Sequence, residues 1–174
     1  RQRWVAVRVL GQLGSPQSRD VLVSLLDDGM PALRAAAASG LGDLGDKLVT
    51  ERLCDLLEDE SLLVRATASD ALGAIGDARA VEPLARSLAA QDNYYRGQSL
   101  WVRRHYVEAL GEIGHKTAIP ALLQGLDDVD NDVVRASVLA MEDIAGFSYA
   151  DGRDFEEERR AWQRWASSQI QSLR

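Results

Sequence analysis

Several chemistries are excluded by what this chain has too little of. One cysteine, Cys54, stands among 174 residues, which rules out an internal disulfide and a cysteine-built zinc site. Cys54 shares its column with small apolar residues and is expected to pack. There are two histidines, His105 and His115. Only His105 has a carboxylate at helical spacing, Glu108, and that lone pair is read as coincidence rather than as a metal site. GxSxG, P-loop and nucleophile–base arrangements are missing, so no catalytic residue and no cofactor is expected. No apolar run reaches about 18 residues, the length a membrane span needs. Alternating Val/Ile/Thr/Tyr runs bounded by turns are missing too, so no strand is expected. Positive charge is in deficit: 27 Asp and Glu face 20 Lys and Arg, a formal net charge of −7. An acidic surface repels a phosphate backbone, which argues against nucleic acid as a partner. The opening RQRWVAVRVLGQLG carries no signal pattern and starts inside a helical rhythm. An N-terminal truncation is therefore expected, with the cytoplasm as the default location.

What is present is a beat. With 46% hydrophobic and 27% charged residues the composition is that of a folded soluble protein. A glycine motif recurs as LGQLG (10–14), LGDLG (41–45), LGAIG (72–76) and LGEIG (110–114). Its first glycines, Gly11, Gly42, Gly73 and Gly111, are separated by steps of 31, 31 and 38. An arginine stands eleven residues before each closing glycine: Arg3, Arg34, Arg65 and Arg103. A degenerate fifth copy at 133–146 keeps Arg135. Leucines return in register after each motif, as Leu22, Leu53, Leu84 and Leu122, and again as Leu26, Leu57, Leu88 and Leu126. Such agreement at several columns marks a tandem repeat.

Each unit predicts two helices. Val64, Ala68, Ala71, Leu72 and Ile75 share one helical face, and Val81, Leu84 and Leu88 form the stripe of a shorter helix. The closing glycine falls where a helix should end, because glycine accepts positive φ. The first glycine costs about 1 kcal/mol of helix propensity against alanine, a cost that close approach to a neighbouring helix would justify.

VRATASDALGAIGDARAVEPLARSL (64–88) resembles the short HEAT-like repeat of phycobilisome-lyase-type and bacterial scaffold proteins, through its columns V-R, A-L-G-x-I-G-D and A-V-x-P-L-x-x-L. The resemblance covers residues 3–146 and implies an all-α, right-handed α-solenoid of about four to five helix pairs. It implies second helices lining a concave face and first helices forming the convex one. The array is expected over 1–146, its first unit lacking a first helix, with a linker and a Trp-containing capping helix over 147–174. The arginine ladder is expected to be a strut joining each repeat to acidic turns at Asp28, Asp59 and Asp128. Trp162 and Trp165 are expected to cover the open solenoid end; the alternative is an exposed aromatic helix offered to a partner.

A partner is expected on the second helices. The columns of Ala66, Ser69, Asp70 and Gly73 are expected to face outward, which places Trp4, Arg8, Asp70, Arg104 and Glu108 on that face, flanked by Asp43 and Glu112. This acidic lining suits a peptide or protein with basic residues, or else is an ordinary solvated face. Residues 89–105, AAQDNYYRGQSLWVRRH, carry the seven extra residues of the long step and lengthen the turn inside one unit. Length alone is tolerated in a turn, but Tyr94, Tyr95, Arg96 and Trp101 are hot-spot residue types. The expectation is a non-enzymatic scaffold module, with no membrane partner and with self-association through the uncapped N-terminal end. The rivals are a bilin lyase-like subunit, implied by the resemblance alone, and a HEAT-like DNA glycosylase, against which the charge counts. Two histidines are too few for the His-Glu iron sites of HEAT-type hydroxylases.

Overall fold

Proline opens helices here and glycine closes them. The computed structural model describes residues 7, 10, 11, 15–152 and 154–172. The first helices of the repeats are α1 (Pro16–Leu25), α3 (Thr50–Asp55), α5 (Val81–Ala89) and α7 (Ile119–Gly125). The second helices are α2 (Pro31–Leu44), α4 (Leu62–Ile75), α6 (Val102–Ile113) and α8 (Asn131–Ala145), and α9 (Phe155–Ser172) ends the chain. Ser15 caps α1 by accepting from the Ser18 N–H at 3.0 Å, and Pro16 and Pro31 occupy first-turn positions whose N–H has no helical partner in any case. Gly45, Gly76, Gly114 and Gly146 stop the second helices at φ of 63°, 64°, 67° and 75°. That left-handed conformation excludes most side chains.

The helices stack as an α-solenoid. Each second helix lies against the next, α2 on α4, α4 on α6 and α6 on α8, and these are the most extensive contacts among the described residues. Small residues make them possible. A Cβ on Gly42 would stand 2.8 Å from Ala71 Cα, and one on Gly111 would stand 2.9 Å from Ala140 Cα. On the first-helix side the leucine columns, from Leu22 to Leu122 and from Leu26 to Leu126, are buried in one continuous core. No helix among the described residues is long and apolar enough to cross a membrane.

Two rows of polar ties stitch the units. Arg34 donates from Nε and Nη2 to the Asp59 carboxylate, both at 2.8 Å, and from Nη1 to the Asp28 carbonyl at 2.9 Å. Arg103 pairs with Asp128, both side chains being almost wholly buried. Among the described residues Arg135 meets no carboxylate; its guanidinium lies 5.1 Å from the Phe155 ring centre. The second row runs through the turns after the glycines, where Asp46 accepts from Arg19 at 2.9 Å and Asp77 from the Thr50 hydroxyl at 2.9 Å. Helix α9 packs on α7 and α8. Trp162 is fully buried there, stacked on Phe147 and edge-on to Tyr149 and Trp165.

Two expectations need correction. The long turn contains a two-stranded β-ribbon, β1 (Tyr94–Tyr95) and β2 (Gln98–Ser99), where no strand was expected; two-residue strands are too short to leave a periodic signal. The columns of Ala66, Ser69 and Gly73 were assigned outward, yet all three residues are buried. Backbones that approach this closely place the small residues in the seams between helices, leaving Asp70, Ser39 and Glu108 outside, with Arg104 the exposed member of the Ala66 column. Arg3, Trp4 and Arg8, and with them the uncapped first unit, lie outside the described residues.

Gly42→Ala should destabilise the fold by about 1–3 kcal/mol through overpacking, despite the roughly 1 kcal/mol gained in helix propensity. A urea melt checks the sign: stabilisation would mean that the seam has slack.

Candidate interaction site

The insertion is built in two halves. It begins where α5 ends and passes through a short 3-10 turn at Gln91–Asn93 into the ribbon. The inner half is structural. Asn93, 2% exposed, donates from Nδ2 to the Ser87 carbonyl at 2.7 Å and accepts from Arg65 Nη1 at 3.0 Å. Ser99 bonds both Asp128 and Arg103. The Tyr94 ring covers the Arg103 guanidinium at 4.0 Å, a stacking that suits arginine's delocalised charge. The outer half faces water. Tyr95 and Gln98 pair across a turn formed by Arg96 (φ 52°) and Gly97 (φ 76°), the two positive φ values that a type I′ hairpin needs. Tyr95 is 63% exposed, with the Arg96 guanidinium 5.2 Å from its ring centre.

Trp101, at the head of α6, ties this hairpin to the second-helix face. It is half exposed and meets His105 edge-on, with ring centres 5.4 Å apart. His105 Nδ1 in turn lies 2.7 Å from Asp70 Oδ1 on α4. Arg104 pairs with Glu108 at 3.0 Å one turn on. Glu112 is exposed as a residue, but its carboxyl tucks over Gly73, in space that a side chain there would fill. Partial burial of that carboxyl, with Asp70 and Glu108 nearby, pushes its pKa above the usual carboxylate value. The hydrogen bond that His105 donates to Asp70 raises its pKa above the ordinary value, against a smaller opposing effect of burial. The structure thus brings Trp101, Arg104, Asp70, Glu108 and Glu112 onto one surface. Asp43 stays exposed at the C-terminal end of α2. His105 joins them and was missed; the Trp101–His105 spacing of four on a helix was the signal.

The family model for HEAT repeats matches residues 1–61, 26–101 and 96–142. The chain belongs to the HEAT-repeat family. Among solved structures, the complex of CpcE and CpcF of phycocyanin lyase from Nostoc sp. PCC7120 is similar, at a TM-score of 0.69 and 27% identity over 83% of this chain and 59% of that one. This chain therefore spans about three-fifths of the length of that relative. Human deoxyhypusine hydroxylase in complex with glycerol is a looser likeness, at a TM-score of 0.47 and 21% identity over 95% and 78% of the two chains. No curated protein sequence matches the chain.

The two tyrosines should behave differently. Tyr94→Ala uncovers the buried Arg103 and is expected to lower stability by about 1–2 kcal/mol, whereas Tyr95→Ala should stay within about 0.5 kcal/mol. Equal effects in thermal melts would sink the division into halves. For His105, NMR titration should give a pKa above 6.5, and Asp70→Asn should move it down. Any stability that the His105–Asp70 contact adds is present at low pH and lost as pH rises through the His105 pKa.

Proposed function

We propose that the chain is a non-enzymatic interaction module. It seats a peptide or protein, one bearing basic residues, on the outward row of Ser39, Asp70 and Glu108, with the insertion as a wall. The observation that carries this reading is the contact chain Trp101–His105–Asp70, which joins the exposed hairpin to the acidic second-helix face. Aromatic rings and an arginine held on a rigid hairpin lose little entropy on binding. Asp43, Asp70 and Glu112 add negative potential that attracts a basic partner. Membership of a family of stacked repeats supports the reading, since such arrays present extended surfaces to partners.

A second reading has one observation in its favour. The likeness to the phycocyanin lyase complex, at 27% identity, supports a subunit of a bilin lyase-like enzyme. Mixing the chain with bilin and following the absorbance separates the two: a bound-chromophore spectrum favours the lyase subunit.

The decisive comparison is a pulldown from source-cell lysate with the wild-type chain and with Tyr95→Ala/Arg96→Ala/Trp101→Ala, whose substitutions spare the inner half. A protein retained by the wild type and lost by the folded variant is the expected result. Identical captures would remove the hairpin from the site.

A further inference from the structure

Among the described residues two arginines of the ladder, Arg65 and Arg135, have no carboxylate partner, and a cleft lies beside Arg65. In two places an arginine receives a carboxylate from the next unit, Arg34 from Asp59 and Arg103 from Asp128. Both aspartates stand two residues after the second leucine of a first helix, Leu57 and Leu126. In the unit between them the same column, two residues after Leu88, holds Ala90. Its backbone, φ −65° and ψ 132°, nearly repeats that of Asp59, φ −58° and ψ 146°. The position keeps its shape and lacks its carboxylate.

Arg65 is the arginine that would meet this column. It donates from Nε to the Asp59 carbonyl and from Nη1 to the Asn93 amide oxygen at 3.0 Å. Among the described residues no carboxylate stands within ion-pair reach of it, so a neutral amide has replaced a charge. Beside Arg65 lies a cleft of about 790 Å³ between α3 and α5, with Ala90, Asn93 and Ser87 in its wall and Arg86 at its mouth. Arg86 has only a 3.9 Å contact to Glu82, both side chains being more than 70% exposed, and is free to turn toward a ligand. Such a contact contributes little in water.

We infer that this cleft binds a carboxylate presented by a peptide, its oxygens meeting Nη2 of Arg65 and the second proton of Nη1, neither of which is used by the bonds to the Asp59 carbonyl and Asn93. The guanidinium fork suits a planar carboxylate held bidentately. The lining argues for a carboxylate over a phosphate, because Asp55, Glu58 and Asp92 repel a dianion more strongly than a monoanion. Leu57, Pro83 and Ala90 supply apolar wall for the residues beside the acid. The cleft opens among the first helices and is separate from the acidic face proposed above; neither stands or falls with the other.

The test uses the peptide Ac-Ala-Asp-Ala-NH2, its Asn counterpart and inorganic phosphate, each titrated into the isotope-labelled chain. The Asp peptide should shift the Arg65 side-chain and Ala90 amide resonances saturably, with the Asn peptide about tenfold weaker or more. Ala90→Asp restores the strut within the chain and should weaken the Asp peptide by at least about tenfold without lowering the urea midpoint. Equal response to the Asp and Asn peptides would overturn the inference, as would shifts confined to the hairpin. Tighter binding of phosphate would also overturn it, since the site would then not be built for a carboxylate. Should Ala90→Asp fail to fold, the Asp and Asn peptides on the wild-type chain decide alone.

Discussion

The whole stack depends on how closely one helix backbone can approach the next. Gly42 lies over Ala71 and Gly111 over Ala140, at distances where even a methyl group would collide. The first helices, spaced by leucines, touch one another far less than the second helices do. The second-helix layer is therefore the tight side of the stack. The same closeness consumes the small-residue faces. Ala66, Ser69 and Gly73 are buried as seam residues, and polar function falls to the residues left outward, Asp70, Arg104, Glu108, Asp43 and Glu112 among them.

Seams of glycine and alanine bring neighbouring units together but specify their relative placement weakly, since dispersion contacts are not directional. The arginine struts add direction. Arg34 fixes two points at once, a carbonyl of its own unit and a carboxylate of the next. Buried pairs of this kind are weak sources of net stability but costly to leave half-made, which suits them to setting geometry. The insertion belongs to this system. Where the column residue is Ala90, the added segment brings Asn93 to Arg65, and at the next strut it brings Tyr94 and Ser99 to Arg103. Seven extra residues thus give one arginine a neutral acceptor in place of a carboxylate and insulate another strut.

The repeat, its helix pairs and its glycine stops were legible because each leaves a periodic trace: leucines in register, an arginine eleven residues before the closing glycine, a glycine where φ turns positive. Trp162 was legible as an apolar residue on an amphipathic helix beyond the last repeat. The outward face was not. Alanine, serine and glycine carry no sign of whether they meet water or a neighbouring backbone, and the answer lay in an interhelical distance that no single helix encodes. The ribbon escaped because Arg-Gly is an uncommon pair at an I′ turn, where Asn-Gly would have announced it. Arg65 looked like its ladder neighbours because the arginine column is unbroken; only the alanine opposite, 25 residues on, marks the difference.

The division of the insertion has a consequence for how function in such arrays is assigned. Residues that interrupt a repeat are read as functional because they lack a structural counterpart, yet Asn93 and Tyr94 acquire structural partners from the interruption itself. Deleting the segment would remove the acceptor of Arg65 and the cover of Arg103 together with any partner contact, and a loss of binding could then follow from displaced repeats. Solvent exposure separates the two roles where sequence novelty does not. Tyr95 and Trp101 present more than half and half of their surface to water, and neither ring contributes to a strut. Function in this loop is to be sought in its outer turn and in the tryptophan that joins it to His105 and Asp70, because those groups alone can be changed without altering how the repeats are stacked.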